Sequence, residues 1–290
     1  MADGVPSDVV HRPMAVIGAG TLGRRIALML ATRGGEVRVY DTAADQREGA
    51  VRFVERELPA MLEGVPDRSP GRIVPSAELA GAVAGAWLVV EAVPERLELK
   101  KRIFADLDRL APQDAILASN SSSYPTSEVI DEVSRPERVV NTHFYMPPES
   151  NAVEIMSCGR TDEAVIELLM ETAPGFGLVP FRVRRESVGF IYNRIWAAIK
   201  REALAVVAEG VATPQEVDHI FELALGAQGG PFRRMDGVGL DVVLDIEEHY
   251  AAIREGIPEA PRRLLREYVN NGWLGAKSGR GFYDDYEREP

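Results

Sequence analysis

The sequence predicts an α/β protein: a doubly wound, mostly parallel sheet in the first part of the chain and a helical domain in the rest. Three observations carry this. The chain opens with strand, glycine turn, helix and strand in succession. Strand-length apolar runs then alternate with amphipathic stretches up to about Arg184, and beyond that point the spacing is mostly helical.

Met14 to Gly18 is a buried-strand run ending in glycine, Leu22 to Thr32 has helical spacing, and Glu36 to Tyr40 alternates and stops at Asp41. Thr42 to Leu62 reads as a helix with Val51, Val54, Leu58 and Leu62 on one side, broken by the turn-rich stretch at Pro66 and Pro70, as an arm projecting from the sheet. Trp87 to Val90, Ala115 to Ala118 and Val139 to Asn141 are further strands, with a helix over Leu97 to Leu110. Ala152 to Met156 and Gly177 to Val183 are two more, around a helix at Asp162 to Thr172. Alternation of this kind predicts a sheet covered on both faces. Phe190 to Ala208 and Thr213 to Leu225 are helical, so residues 1–184 are expected to form one domain and 185–290 another.

At 290 residues, 46% hydrophobic and 27% charged, the chain can bury a sizeable core. A net charge of -12 argues against binding nucleic acid, which needs a basic face. Cys158 is the single cysteine, which excludes an internal disulfide and Cys-based zinc sites; no metal is expected. No apolar run reaches the ~18 residues of a membrane span, and the first residues lack a signal-peptide core. A cytoplasmic location, away from membranes, is expected.

Gly18-Ala-Gly20-Thr-Leu-Gly23 matches G-x-G-x-x-G between a buried strand and a helix start. Gly18 permits the tight turn, Gly20 admits a pyrophosphate, and Gly23 lets the helix pack closely on the strand. Asp41, ending the second strand, can accept both ribose hydroxyls and would repel a 2′-phosphate, so NAD is favoured over NADP; FAD shares the fingerprint, but no further sheet follows to house a flavin.

Ligands of such sheets lie beyond the carboxyl ends of strands, where the run Ser119 to Ser123 and His143 fall. His143 is a natural base for a hydroxyl proton lost during hydride transfer, and Glu154 in the next strand can hold its other ring nitrogen. Position alone leaves a second reading open, a structural histidine beside an ordinary solvated carboxylate.

GAGTLG, VVEAVPERLELK, ASNSSS, NTHFYMPP with VEIM, GFIYNRI, GGPFRRMDGVGLD and GWLGAKSGRGFYDD together resemble the L-3-hydroxyacyl-CoA dehydrogenase family, in its order and spacing along essentially the whole chain. The resemblance implies a Rossmann-type domain with a helical domain that forms a homodimer and closes over an acyl chain. It implies an active-site set of His143, Glu154, Ser122 and Asn193, the last two bonding the reacting oxygen. For NAD it implies Gly18, Gly20, Thr21, Leu22, Gly23 and Asp41, then Ala92, Val93, Glu95, Lys100 and Asn120. The implied reaction interconverts a 3-hydroxyacyl thioester, with CoA as its carrier, and the 3-oxo form, as in fatty acid metabolism. A carrier-protein-bound or free hydroxy acid is an alternative substrate on the same scaffold, and a non-catalytic NAD-binding structural or sensor protein is an alternative of another class.

Three departures bear on the substrate. The family's H-F-F-N-P reads His143-Phe-Tyr-Met146-Pro147 here, replacing an amide by a thioether, and the segment from His143 to Glu154 is one residue shorter than in many relatives. The family's phosphate-binding arm lysines are absent. Arg52 takes the equivalent place, with Arg47 and Arg56 nearby, and Arg can bind phosphate bidentately.

Overall fold

The computed structural model describes residues 5–63 and 69–286, which fall into two compact units, one ending at Ile191 and the other beginning at Tyr192.

The first unit is built on β1 (Met14–Ile17), β2 (Glu36–Tyr40), β3 (Arg72–Ser76), β4 (Leu88–Glu91), β5 (Ile116–Ser119), β6 (Val139–Phe144), β7 (Ala152–Ser157) and β8 (Val179–Val183). They form one sheet in the order β3-β2-β1-β4-β5-β6-β7-β8, parallel at every step except the antiparallel β6–β7 pair. Chain order reverses between β1 and β4, which is where the carboxyl ends of an open α/β sheet leave a crevice. The helices are α1 (Thr21–Ala31), α2 (Ala44–Leu62), α3 (Leu79–Val83), α4 (Leu97–Leu110) and α5 (Glu163–Thr172).

β1 shows why the sheet carries two cores. Met14 and Val16 belong to one apolar cluster with α1 and α2, whereas Ala15 and Ile17 belong to another with Phe104 and Leu107 of α4. Alternating side chains are thus buried on both faces, and the strand reads as an unbroken apolar run.

The expected projecting arm is corrected. α2 lies against α1 and β3 and buries Ala50, Val54 and Leu58, the last two worth about 1.5–3 kcal/mol each. Pro66, read as one of its breakers, lies outside the described residues. β3 was not expected from the sequence: it is an edge strand, half exposed and carrying Pro75, and proline in an apolar run reads as a turn.

The segment from Arg184 to Ile191 stays with the first unit, although a boundary was expected near Arg184. The Ser187 N–H meets Met156 Sδ at 3.3 Å, and the Ile191 N–H donates to Glu154 Oε1 at 2.8 Å. Phe190, expected to begin a helix, instead has φ +52 after Gly189 at φ +80, and the helix starts two residues later.

The second unit contains α6 (Tyr192–Ala208), α7 (Pro214–Leu225), α8 (Pro231–Val238), α9 (Leu240–Ile253) and α10 (Glu259–Asn270) around Leu204, Phe232, Met235, Leu240, Leu265 and Phe282. Thr213 and Glu216 form a capping box at the start of α7. Two buried carboxylates explain the glycine-rich motifs of this unit. Asp218 accepts the N–H groups of Phe232 and Arg233 at the start of α8, each at 2.8 Å. Asp236 accepts those of Phe282 and Tyr283 at 3.0 and 2.9 Å and the Tyr286 hydroxyl at 3.0 Å. A Cβ at Gly230 would strike Asp218, and one at Gly275 or Gly281 would strike Asp236. Burial raises the Asp236 pKa, against the pull of those donors. Among the described residues no helix is long and apolar enough to cross a membrane.

Candidate active site

The glycine turn leaves β1 and enters α1 directly. Gly18 has φ +106, and a Cβ there would lie 2.5 Å from the Ala92 carbonyl oxygen at the end of β4. A Cβ on Gly23 would overlap the Gly18 carbonyl, so close packing of helix on turn requires glycine at both positions. Gly20 differs: it is the exposed N-cap of α1 without side-chain capping, and a Cβ on it would meet nothing within 4 Å. The open space faces unpaired helix N–H groups, and no acidic residue occupies the first turn, as a pyrophosphate requires.

Thr21 and Leu22 begin α1. Asp41, ending the next strand, accepts the Ala19 and Ala43 N–H groups at 2.9 and 3.0 Å, which fixes its carboxylate beside the turn. These residues fit the adenosine half of a dinucleotide.

Across the switch point, Ala92 and Val93 follow β4. Lys100, on α4, is 1% exposed and lies 2.8 Å from Glu91 and 3.0 Å from Glu95, so it supports the carboxylates from below. Glu95 accepts from the Ser121 hydroxyl at 2.5 Å and the Ser123 N–H at 2.9 Å. Burial pushes the Glu95 pKa up, but Lys100 and these donors outweigh it and lower it, so the carboxylate stays ionised. Ser122 sits exposed between Ser121 and Ser123. Asn120 Oδ1 accepts the Phe144 N–H at 2.9 Å, tying the end of β5 to the strand that carries His143.

The β6–β7 register sets His143 directly opposite Glu154, which puts both side chains on one face of the sheet. His143 Nδ1 lies 3.1 Å from Glu154 Oε2, and the residues are 6% and 2% exposed. The carboxylate selects the tautomer with the proton on Nδ1, leaving Nε2 to exchange a proton with a ligand. The Phe190 ring stacks on His143 at 4.7 Å and 21°. A phenylalanine at positive φ is rare, and this one holds the imidazole plane. Asn193 lies in the first turn of α6, in the second unit.

Sequence reasoning missed several participants. Tyr145 donates its hydroxyl to Glu154 Oε2 at 2.6 Å, and Glu91 joins Lys100 to the Ser119 hydroxyl at 2.7 Å. Arg25 Nη1 donates to the Pro147 carbonyl at 2.8 Å and pairs with Glu149, bracing the loop after His143. Arg24, Arg25 and Arg56 surround the Phe53 ring at 4.9, 5.8 and 5.5 Å, whereas Arg52 is exposed and lies 3.5 Å from Glu48. The double arginine after the glycine turn was the available signal. Met146 is 45% exposed.

The family models described as 3-hydroxyacyl-CoA dehydrogenase, NAD binding domain, and 3-hydroxyacyl-CoA dehydrogenase, C-terminal domain, match residues 13–187 and 189–285. A 3-hydroxybutyryl-CoA dehydrogenase of Mycobacterium tuberculosis is 36% identical over 287 residues, covering 96% of this chain and 99% of the relative. A 5-formyl-3-hydroxy-2-methylpyridine 4-carboxylate 5-dehydrogenase of Mesorhizobium japonicum is 30% identical over 279 residues, covering 94% and 90%. The crystal structure of (S)-3-hydroxybutyryl-CoA dehydrogenase from Ralstonia eutropha superposes with a TM-score of 0.83 at 29% identity, covering 97% of this chain and all of that one (100%). With both of its halves matched, the chain belongs to the family of NAD-dependent 3-hydroxyacyl-CoA dehydrogenases.

Proposed function

We propose that this chain interconverts a 3-hydroxyacyl-CoA and its 3-oxo form with His143 as the acid/base. The observation that carries the reading is the buried His143–Glu154 pair, held in register at the carboxyl end of β6 on the sheet that also presents the dinucleotide turn. When bound, NAD supplies the hydride acceptor. His143 Nε2 takes the hydroxyl proton as the hydride departs, and Glu154 stabilises the imidazolium through Nδ1. Ser122 and Asn193 are assigned by the family resemblance to hydrogen bonds with the reacting oxygen. Glu95, held by Lys100 and Ser121, serves the nicotinamide side of the cofactor.

The arginines around Phe53 give the thioester's phosphates a cationic surface in place of the family's lysines; Arg24 Nε and Arg25 Nε are buried with no protein acceptor. Dimerisation is supported by apolar side chains left exposed on the second unit, among them Ile195, Ile220, Leu223 and Leu225 at 55% to 72%. The unpaired, buried Cys158 suits a reducing cytoplasm.

The test is NADH oxidation by the purified chain with acetoacetyl-CoA, beside acetoacetate and a longer acyl-CoA. Turnover confined to CoA esters is expected. Equal turnover of free acetoacetate overturns the thioester assignment. That result would favour the free-acid reading, which exposed Met146 in place of the family's asparagine supports.

A further inference from the structure

Glu154 is held from several sides. Its Oε1 accepts the Ile191 N–H at 2.8 Å, and its Oε2 accepts from both His143 Nδ1 at 3.1 Å and the Tyr145 hydroxyl at 2.6 Å. Tyr145 is also a ring neighbour of His143, at 4.8 Å and 60°. The phenol therefore reaches around the imidazole to the same carboxylate oxygen that serves it.

We infer that Tyr145 is a positioning residue of the reaction: its hydroxyl fixes Glu154 Oε2 and takes up part of the negative charge that this oxygen presents to the His143 imidazolium. The inference rests on His143 being the acid/base. In a buried site an undiluted carboxylate would make the imidazolium reluctant to surrender its proton, because the attraction is barely screened there. A charge-assisted hydrogen bond on the same oxygen disperses that charge and brings the proton affinity of the imidazole closer to working pH. Glu154 from β7 and Tyr145 from its own loop are titratable side chains that face His143 in the first unit. The segment before α6 contributes the uncharged Phe190 ring, and the end of β5 contributes the amide of Asn120 one residue away. Phenylalanine at this position, as in the family pattern, would stack on His143 without reaching the carboxylate. The charge dispersal is thus a property of this chain's tyrosine.

The experiment compares the full chain with Tyr145→Phe, Glu154→Gln and the double variant, measuring kcat, KM for acetoacetyl-CoA, NADH affinity, and the pH dependence of kcat/KM. Tyr145→Phe keeps the ring, so folding is expected to be retained, with melting temperature as the check. With the imidazole protonated, its kcat should fall about threefold in the reduction direction, with KM and NADH affinity within about twofold, and the limb due to His143 should move up by about half a pH unit. In the Glu154→Gln background the same substitution should change neither. An unmoved limb overturns the inference. So does an equal loss in both backgrounds, which would mean that the phenol acts without Glu154. Failure of the underlying reading is distinguishable, because His143→Ala would then keep near-parental turnover whatever Tyr145 does.

Discussion

Two glycines of one turn should fail in different ways when each is replaced by alanine. At Gly18 the new methyl would lie 2.5 Å from the Ala92 oxygen, 2.7 Å from its carbonyl carbon and 3.0 Å from the Val93 nitrogen, all backbone atoms that cannot rotate aside, on a residue held at φ +106. The left-handed conformation costs about 1–2 kcal/mol for a residue with a Cβ, and the overlap adds about 1–3 kcal/mol, so Gly18→Ala should lose about 2–5 kcal/mol of folding stability. At Gly20 the backbone is extended, with φ -66 and ψ -170, and the methyl would enter open space. Folding should be unchanged or slightly strengthened, because alanine restricts the unfolded chain. That open space is nevertheless where the diphosphate is expected to rest. Losing about two charge-assisted hydrogen bonds there, worth about 1.5 kcal/mol each, weakens NADH about a hundredfold. Thermal unfolding of the free protein and a fluorescence titration with NADH separate the two effects. Gly20→Ala binding NADH within threefold of the parent, at an unchanged melting temperature, would refute the assignment of that space to the cofactor.

Three further outcomes follow from the geometry. Asp236→Ala should strip two backbone N–H groups and the Tyr286 hydroxyl of their acceptor, costing about 3 kcal/mol or more, visible as a lowered denaturant midpoint. Arg138→Met should be strongly destabilising, about 3–5 kcal/mol, because it leaves Asp108 beside an empty cation site; the pair is 2.8 Å apart with side chains 2% and 9% exposed. Asp108 also predicts a pH dependence. Burial raises its pKa, but Ser134 and Arg138 outweigh this, so the folded value lies below 3.8. Its contribution should be fully present above the unfolded value and lost as pH falls through the folded one, and Arg138→Met should flatten the loss below pH 3.8 in acid unfolding.

What the sequence disclosed followed the periodicities it carries. The β1 turn was legible because a buried strand, three glycines and a helix start follow one another, and His143 because strand ends in such a sheet mark the ligand side. The pairing of His143 with Glu154 was expected from the next strand's carboxylate, but their direct opposition was not, because it depends on the register of a hairpin whose loop has no regular pattern. Phe190 misled for a related reason: its spacing fits the helix that begins at Tyr192, and nothing in the periodicity announces φ +52. The edge strand β3 was hidden by Pro75. The buried partners of Lys100 were not legible, because it is the pairing of β4 with β5 that places Glu91 and Ser119 side by side near it. Tyr145 was visible as a departure from the family's second phenylalanine, but its role was not, since a phenol and a phenyl ring satisfy the same apolar pattern and differ by one hydrogen bond.

Whether His143 moves the proton is decided by single-turnover reduction of acetoacetyl-CoA by NADH in His143→Ala. The chemical step should slow about 10²–10⁴-fold, with NADH affinity and melting temperature close to those of the parent. Turnover within a few fold of the parent, with NADH still bound, would contradict it.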